Sequence, residues 1–244
     1  MKHIVMFSGG AASSVVGKMV AVLYPSDTIL LHTPTGAEHP DADRFREQVA
    51  RRIGLPITIE KAKKTLWQYI ELSWRYIPNH SLPKCTQRLK MDPQNRYLKR
   101  IEVTGEEFII YVGLGFDEPN RIKNVSFRNF ELGRNVAFPL FDARLTGEDC
   151  KQIVRDEWGI CLPEPYKHLK HNNCIPCYKG GEGHWFKVWQ HYPEQFYRAA
   201  VAERRAANTV FNGVTLYELA AKWERQPVQP ELFGEDSIPC MCAI

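Results

Sequence analysis

The run Ile4-Val5-Met6-Phe7 is followed by Ser8-Gly9-Gly10-Ala11-Ala12-Ser13-Ser14 and then by apolar residues at Val15, Val16, Met19, Val20 and Leu23. This stretch constrains the fold more than any other. A short apolar run reads as a buried strand, the later spacing as one face of a helix, and the glycines between them as a tight connection. A strand that feeds a helix in this way is one unit of a parallel sheet, because the chain must cross over before it pairs again in the same direction. The same geometry builds an anion seat. Unpaired helix amides and the positive dipole end face the ligand, the glycines permit close approach, and serine hydroxyls add donors. Ser8, Gly9, Gly10, Ser13 and Ser14 are therefore candidate phosphate-binding residues.

The unit repeats along the chain. Strand-like runs at Ile4–Phe7, Thr28–His32, Ile57–Glu60 and Phe108–Gly113 alternate with helical patterns at Ser13–Tyr24, Asp41–Ile53, Leu66–Arg75 and within Thr86–Val103, where Pro93 starts or kinks the helix. This alternation predicts an α/β fold, a parallel sheet flanked by helices with ligand at the carboxyl ends of the strands. Val125–Phe141 reads as a mixed region adding a strand or two, and Glu148–Trp158 as a helix with Thr146 as its N-cap. From Cys161 the chain turns irregular, with prolines, His and Asn residues, a Cys pair and Gly180-Gly181-x-Gly183. Amphipathic helices are expected at Trp185–His191, Glu194–Ala206 and Thr215–Trp223, and Gln226–Pro239 is a Pro/acid-rich tail leading to Cys240-Met241-Cys242. The expected organisation is a nucleotide-binding α/β domain over 1–160 and a helical, cysteine-containing appendage over 161–244.

Composition narrows the class of function. An apolar content of 44% and a charged content of 25% in 244 residues suit a soluble protein with a sizeable core. No run resembles a membrane span, and Met1-Lys2-His3 leads straight into a strand, so no membrane partner and no signal peptide are expected, and a cytoplasmic location follows. The net charge of +4 does not demand a nucleic-acid partner, although Lys84–Arg100 gathers cations that can neutralise phosphates. Seven cysteines, an odd number in such a chain, read as metal ligands, redox thiols or buried small hydrophobes rather than disulfides.

Cys174-Ile175-Pro176-Cys177 has the spacing that brings two thiolates to one metal centre or forms a redox pair. Cys85 stands beside Lys84 and Arg88, which favour its thiolate. If the two loops meet, three thiolates converge, and Cys240 or Cys242 can supply a fourth. Asn172, Asn173 and Lys179-Gly180-Gly181 place donors and small residues around the pair, as suits a cluster whose sulfides accept N–H bonds. A zinc site that uses His171 or His184, and reduced thiols without metal, remain alternatives. Cys150, Cys161, His32 and His191 are assigned to the core. So are the aromatics Trp185, Phe186, Trp189, Tyr192, Phe196 and Tyr197, which fall at helical spacing.

Two further loops leave strands at their carboxyl ends. In Thr33–Pro40, Thr35, Gly36 and Glu38 suit contacts to base or ribose, or else form an ordinary turn before the helix at Asp41. In Gly113–Arg121, Gly113 permits close approach, while Asp117, Glu118 and Arg121 suit ribose, metal or phosphate, or else a solvated acidic turn.

Together these segments resemble the phosphoadenosine phosphosulfate (PAPS) reductase family, within the PP-loop adenine nucleotide alpha-hydrolase-like superfamily. Ser8–Ser13 resembles the SGGxDS loop, Thr35–Pro40 the DTG…(E/F)xP element, and Cys85-Thr86-x-x-Leu89-Lys90-x-x-Pro93 the C…LK…P segment. Asp117-Glu118-x-x-Arg121 resembles the DE…R element, and Phe138-Pro139-Leu140 with Thr146–Asp149 the PL…(T/S)xxD element. His171–Gly181 is similar to reductase-like proteins common in bacteriophages and prophages. The resemblance runs in order from about residue 3 to about residue 205. It implies a PP-loop Rossmann-like fold and an adenine nucleotide ligand (PAPS, APS or ATP). It also implies sulfonucleotide reduction, a 4Fe–4S iron–sulfur cluster and a protein thiol reductant as partner.

The resemblance further implies that Lys90 and Arg88 offset sulfonucleotide charge, and that Cys85, Cys174 and Cys177 hold the cluster with Cys242 as a fourth ligand. Three ligands and one open iron is the other arrangement. Three departures bear on mechanism. Ala12 replaces the acidic residue of the ATP pyrophosphatases, which fits a sulfonucleotide better than ATP cleavage. Cys85 stands alone where cluster-bearing reductases carry a tandem pair. The tail lacks the glutamate and histidine of the reductases' ECGxH-like motif, so Cys240 reads either as the catalytic thiol working with Lys90 or as a ligand, and the closeness of Cys242 favours ligation. Two rival readings remain: ATP-dependent sulfur transfer to nucleic acid, and non-catalytic nucleotide binding.

Overall fold

Strand β1 (Lys2–Met6) is central in the sheet because its residues bury on both faces. The computed structural model describes residues 1–225. β2 (Thr28–His32), β3 (Ile57–Ile59), β4 (Phe108–Tyr111) and β5 (Asn135–Ala137) join β1 in one all-parallel sheet of order β3-β2-β1-β4-β5. Val5 pairs with Leu30 on one side and Tyr111 on the other. These three face a core with Val15, Val16 and Val20 of α1 (Ala11–Leu23) and Phe45, Val49 and Ile53 of α2 (Asp41–Ile53). The alternate residues Ile4, Met6, Leu31 and Ile110 face a second core with Leu98 and Val125. That period of two is what a strand buried on both faces produces. The strand order reverses between β1 and β4, which opens a crevice at their carboxyl ends.

α3 (Leu66–Leu72) follows β3, with Thr65 and Gln68 forming a capping box at its start. The next helical stretch is continuous where the sequence suggests a start or a kink. α4 (Lys84–Thr86) passes through a π turn at Gln87–Met91 into α5 (Asp92–Val103). Pro93 has no N–H to return to Leu89, and the widened turn just before it absorbs that loss. α6 (Pro119–Glu131) takes the first part of the expected mixed region, so only Asn135–Ala137 is strand. α7 (Pro139–Asp142) and α8 (Gly147–Gln152) follow, and Thr146 caps α8 through a capping box with Asp149.

Beyond a π turn at Ile153–Glu157 and a 3-10 turn at Glu164–Lys167 come α9 (Glu182–His191), α10 (Pro193–Glu203) and α11 (Leu216–Arg225). They bury Trp185, Phe196 and Trp223 in a third core that also takes Leu66, Trp67, Ile77 and Leu89. Three core assignments are corrected. Tyr197 is exposed on α10, its ring 6.2 Å from that of Tyr217 of α11. Cys161 is exposed: its carbonyl, not its thiol, docks on α2 by accepting from Arg44 Nη2 at 3.1 Å. His191 is exposed at the polar end of α9, stacked on His168 with ring centroids 3.7 Å apart. Cys150 is fully buried, and burial pushes its thiol up to about 12. Among the described residues no helix is long and apolar enough to cross a membrane.

Asp41 ties α2 to the later chain. Its carboxylate accepts from Arg44 Nε at 2.5 Å and from the Glu164 amide at 2.8 Å. The Arg44 hydrogen bond outweighs burial and lowers its pKa from 3.8 to about 2. A depressed carboxylate stabilises the fold above its unfolded pKa, and that contribution is lost as pH falls through the folded one. Asp41→Asn is expected to lower unfolding free energy at pH 7 by roughly 2 kcal/mol, a gap that urea titrations should show closing as pH falls toward 2.

Candidate functional site

The Ser8–Ser13 turn lies at the reversal point of the sheet, between the ends of β1 and β4. Gly9 adopts φ +83°, and a Cβ there would meet Arg46 Cγ at 2.7 Å. Gly113, just past β4, presses on the first turn of α1, where a Cβ would lie 2.8 Å from Ser13 N. Both positions therefore need glycine. Ser13 and Ser14 hydroxyls donate to the Gly10 carbonyl at 3.0 and 2.9 Å, and Ser8 Oγ lies 3.1 Å from Ser13 Oγ. No acidic residue stands in the first turn of α1, so its positive end is not offset from within the helix.

Arg46 fills the space beneath Gly9 at 6% exposure. Its Nη2 pairs with Asp43, while buried Nη1 has no partner among the described residues. Sequence reasoning missed this arginine, because it sits among the charged residues of α2 and only the bare backbone of Gly9 makes room for it.

The loop after β2 closes on itself. Glu38 accepts from Thr35 Oγ1 at 2.6 Å and from the amides of Thr35, Gly36 and Ala37 at 2.8, 2.9 and 3.2 Å. Burial alone would raise its pKa, but the Thr35 side-chain and backbone hydrogen bonds and nearby Lys90 bring it below the ordinary value. Glu38 thus braces the turn, with Gly36 at φ +72°. His32, buried as expected, places Nδ1 2.9 Å from the Phe7 carbonyl. A carbonyl only accepts, so Nδ1 carries the proton and Nε2 is left as a buried acceptor with no partner among the described residues. Burial, then the charge of Arg46, lower its pKa to about 4, and the ring is neutral at pH 7.

The cysteine loop docks on both turns. Asn172 Nδ2 donates to the Gly9 carbonyl at 2.9 Å, Ile175 N donates to the Ala37 carbonyl at 2.8 Å, and Cys174 forms an antiparallel bridge with Glu38. Cys174 Sγ lies 3.1 Å from Thr35 Oγ1. Ser8, His32, Glu38, Lys90, Asn172 and Cys174 consequently line one cavity of about 30 Å³. A volume near that of one water is too small for a nucleoside, so this cavity is a floor rather than a seat for a base.

Cys177 N donates to His184 Nε2 at 2.9 Å, which engages the nitrogen that the zinc alternative would offer a metal. Cys85 and Cys174 pack against the same third core, and the charge of Cys85 is among the causes raising the pKa of buried Tyr178, after burial itself. Among the described residues no three of His, Cys, Asp or Glu are gathered as a metal site. Cys240 and Cys242 lie outside the described residues.

Other candidates stand apart. Arg88 is exposed, pairs with Asp92 at 3.0 Å and lines an outer groove with Lys99 and Arg100, two positions from Lys90 but on another side of the π turn. Asp117 is exposed, and Glu118 caps its own loop by accepting from Gly115 N at 3.1 Å and pairing with Arg121.

A five-stranded parallel sheet with a glycine turn at its switch point defines an α/β nucleotide-binding protein. Residues 2–147 of the 244 match the family model of the phosphoadenosine phosphosulfate reductase domain, and the chain belongs to that family. Family membership supports a nucleotide-binding, sulfur-related function. No curated protein matches the chain.

His184 yields a test of the loop's anchoring. Burial, then the charges of His171 and Lys187, lower its pKa from 6.5 to about 4. Between those values the unfolded chain binds a proton that the folded ring refuses, so stability falls as pH drops through that window. The penalty is expected to be roughly 2 kcal/mol at pH 5. His184→Gln, which does not titrate, is expected to show a smaller loss than wild type between pH 7.5 and about 5 in urea denaturation.

Proposed function

We propose that this protein is a sulfonucleotide reductase-like enzyme that binds an adenine nucleotide on the Ser8–Ser14 turn and breaks a sulfur–oxygen bond beside it. One observation carries the reading: the Asn172–Gly9 bond of 2.9 Å closes the cysteine loop directly over the glycine turn, with Lys90 and Cys174 lining the same cavity as Ser8. Ser8, Gly9, Gly10 and Ser13 hold the phosphate or sulfate, and Ser14 braces the turn through Gly10. Thr35, Gly36 and Gly113 shape the approach for the nucleoside, and Glu38 keeps that loop in place. Asp117, Arg121 and Arg88 act in this reading as outer contacts to ribose or phosphate.

Chemistry follows from thiol attack. The thiolate of Cys240 attacks the sulfur of the sulfonucleotide, the sulfur–oxygen bond breaks, and the phosphate oxygen leaves with the electron pair as nucleoside phosphate. Lys90 offsets the charge that builds on that oxygen. A dithiol reductant protein then attacks the cysteine sulfur of the thiosulfonate. Sulfite leaves, and the mixed disulfide is resolved by the second thiol of the reductant. Thiolates flanked by amides have the donor chemistry of an iron–sulfur centre, which Cys85, Cys174, Cys177 and Cys242 would hold. When bound, such a 4Fe–4S cluster would supply a positively polarised centre.

Oxygen-free protein given adenosine phosphosulfate or its 3′-phosphorylated form, with thioredoxin and reductant, is expected to release sulfite. Lys90→Ala should slow release by about 100-fold. No sulfite from either substrate would overturn the proposal. The cluster is tested by iron and sulfide content and by broad absorbance near about 400 nm that Cys174→Ser removes.

One observation favours the alternative of ATP-dependent sulfur transfer to nucleic acid. A groove of about 840 Å³ is lined by Arg88, Arg96, Lys99, Arg100 and Arg134. Its cations are largely paired, Arg96 and Arg100 with Glu60 and Arg134 with Glu102, which weakens its pull on a polyanion. Thiolated nucleosides in hydrolysed nucleic acid, lost with Cys174→Ser, would favour it. Nucleotide binding without any turnover would mark a non-catalytic protein.

A further inference from the structure

The 3-10 turn at Glu164–Lys167 delivers Tyr166 to the amino terminus of α1. Its oxygen accepts the Ala11 amide at 3.2 Å. A Cβ on Gly10 would lie 3.3 Å from that oxygen and 3.7 Å from Ser8 Oγ, so the two hydroxyls border the same face of the glycine turn. One N–H donor occupies an acceptor position of the oxygen, and Tyr166 donates to none of the described residues. Its proton is the part not yet used. Burial raises the phenol pKa, so the proton stays on at neutral pH.

The ring is held in place rather than loosely inserted. Tyr166 N donates to the Pro163 carbonyl at 3.0 Å, Glu164 N donates to Asp41 at 2.8 Å, and Lys151 Nζ lies 5.2 Å from the ring centroid. The Ala11 amide donating into the phenol oxygen polarises its O–H and strengthens it as a donor, and a fixed donor loses little entropy on binding. Resting on the reading of Ser8–Ser13 as the nucleotide's anion seat, we infer that Tyr166 is a further ligand-binding residue whose hydroxyl donates to an anionic oxygen seated there. A phenol that only plugged the turn would have to leave before a ligand entered, and the anchored turn opposes that.

Tyr166→Phe keeps the ring and removes the donor. Calorimetry with AMP and with adenosine separates the anion contact from the fold. The variant is expected to bind AMP at least about tenfold more weakly, with adenosine affinity and ligand-free melting temperature unchanged within a few degrees. Equal or tighter AMP binding by the variant overturns this inference alone, whereas a wild-type protein that binds no AMP overturns the nucleotide reading and this inference with it. Should the variant not fold, 3-fluorotyrosine placed at position 166 makes a more acidic donor, and AMP affinity unaltered by that replacement overturns the inference.

Discussion

A turn built largely from glycine and alanine backbone cannot hold its own shape, and Ser8–Ser13 is held by its neighbours. Arg46 supports Gly9 from below, Gly113 presses on the first turn of α1, Asn172 grips the Gly9 carbonyl, and Tyr166 takes the Ala11 amide. These contacts come from α2, the end of β4 and the segment beyond Cys161, so the turn forms only when the sheet and the later chain are both in place. Loss of Asn172 or Tyr166 leaves a backbone group of the turn without that partner, which is costlier than losing a surface contact.

The charge pattern around that turn is consistent with an anionic guest. Among the described residues the one carboxylate lining the small cavity is Glu38, and backbone amides of its own loop engage it. Positive charge is carried by Arg46 and Lys90, while His32 and His184 are kept neutral, their pKa values lowered to about 4. Burial is the leading cause, because it disfavours the charged ring, and for His32 the nearby Arg46 guanidinium adds like charge. Ala12, in place of an acidic residue, leaves the helix end without a counter-charge of its own.

Strand periodicity and the strand–turn–helix order made the sheet and its switch point legible before any coordinates, and β2 and α2 begin and end where the pattern puts them. The region from Val125, read as mixed, does add a strand at Asn135–Ala137, but the helix over its first part left no clear pattern, because Phe127 and Phe130 lie on the solvent face of α6, which buries Val125 and Asn129 instead. Cys161 misled for a related reason: apolar residue type argued for the core, while backbone docking decided its place. Arg46 and Tyr166 carry no local signal at all. Their importance arises from where a glycine leaves space, a relation between residues 37 and 155 or more positions from the turn they serve, which no local pattern records.

The bridge between Glu38 and Cys174 makes the two halves of the site mechanically dependent. Ile175 borrows the Ala37 carbonyl, Cys174 meets the Thr35 hydroxyl, and the same loop reaches Gly9 through Asn172. A shift in the glycine turn must therefore alter the position of the first cysteine, because only the Asn172 side chain and two peptide units separate them. Tyr166, from the segment before that loop, tightens the turn by accepting the Ala11 amide. The glycine turn and the first cysteine are thus joined through hydrogen bonds already formed in the structure.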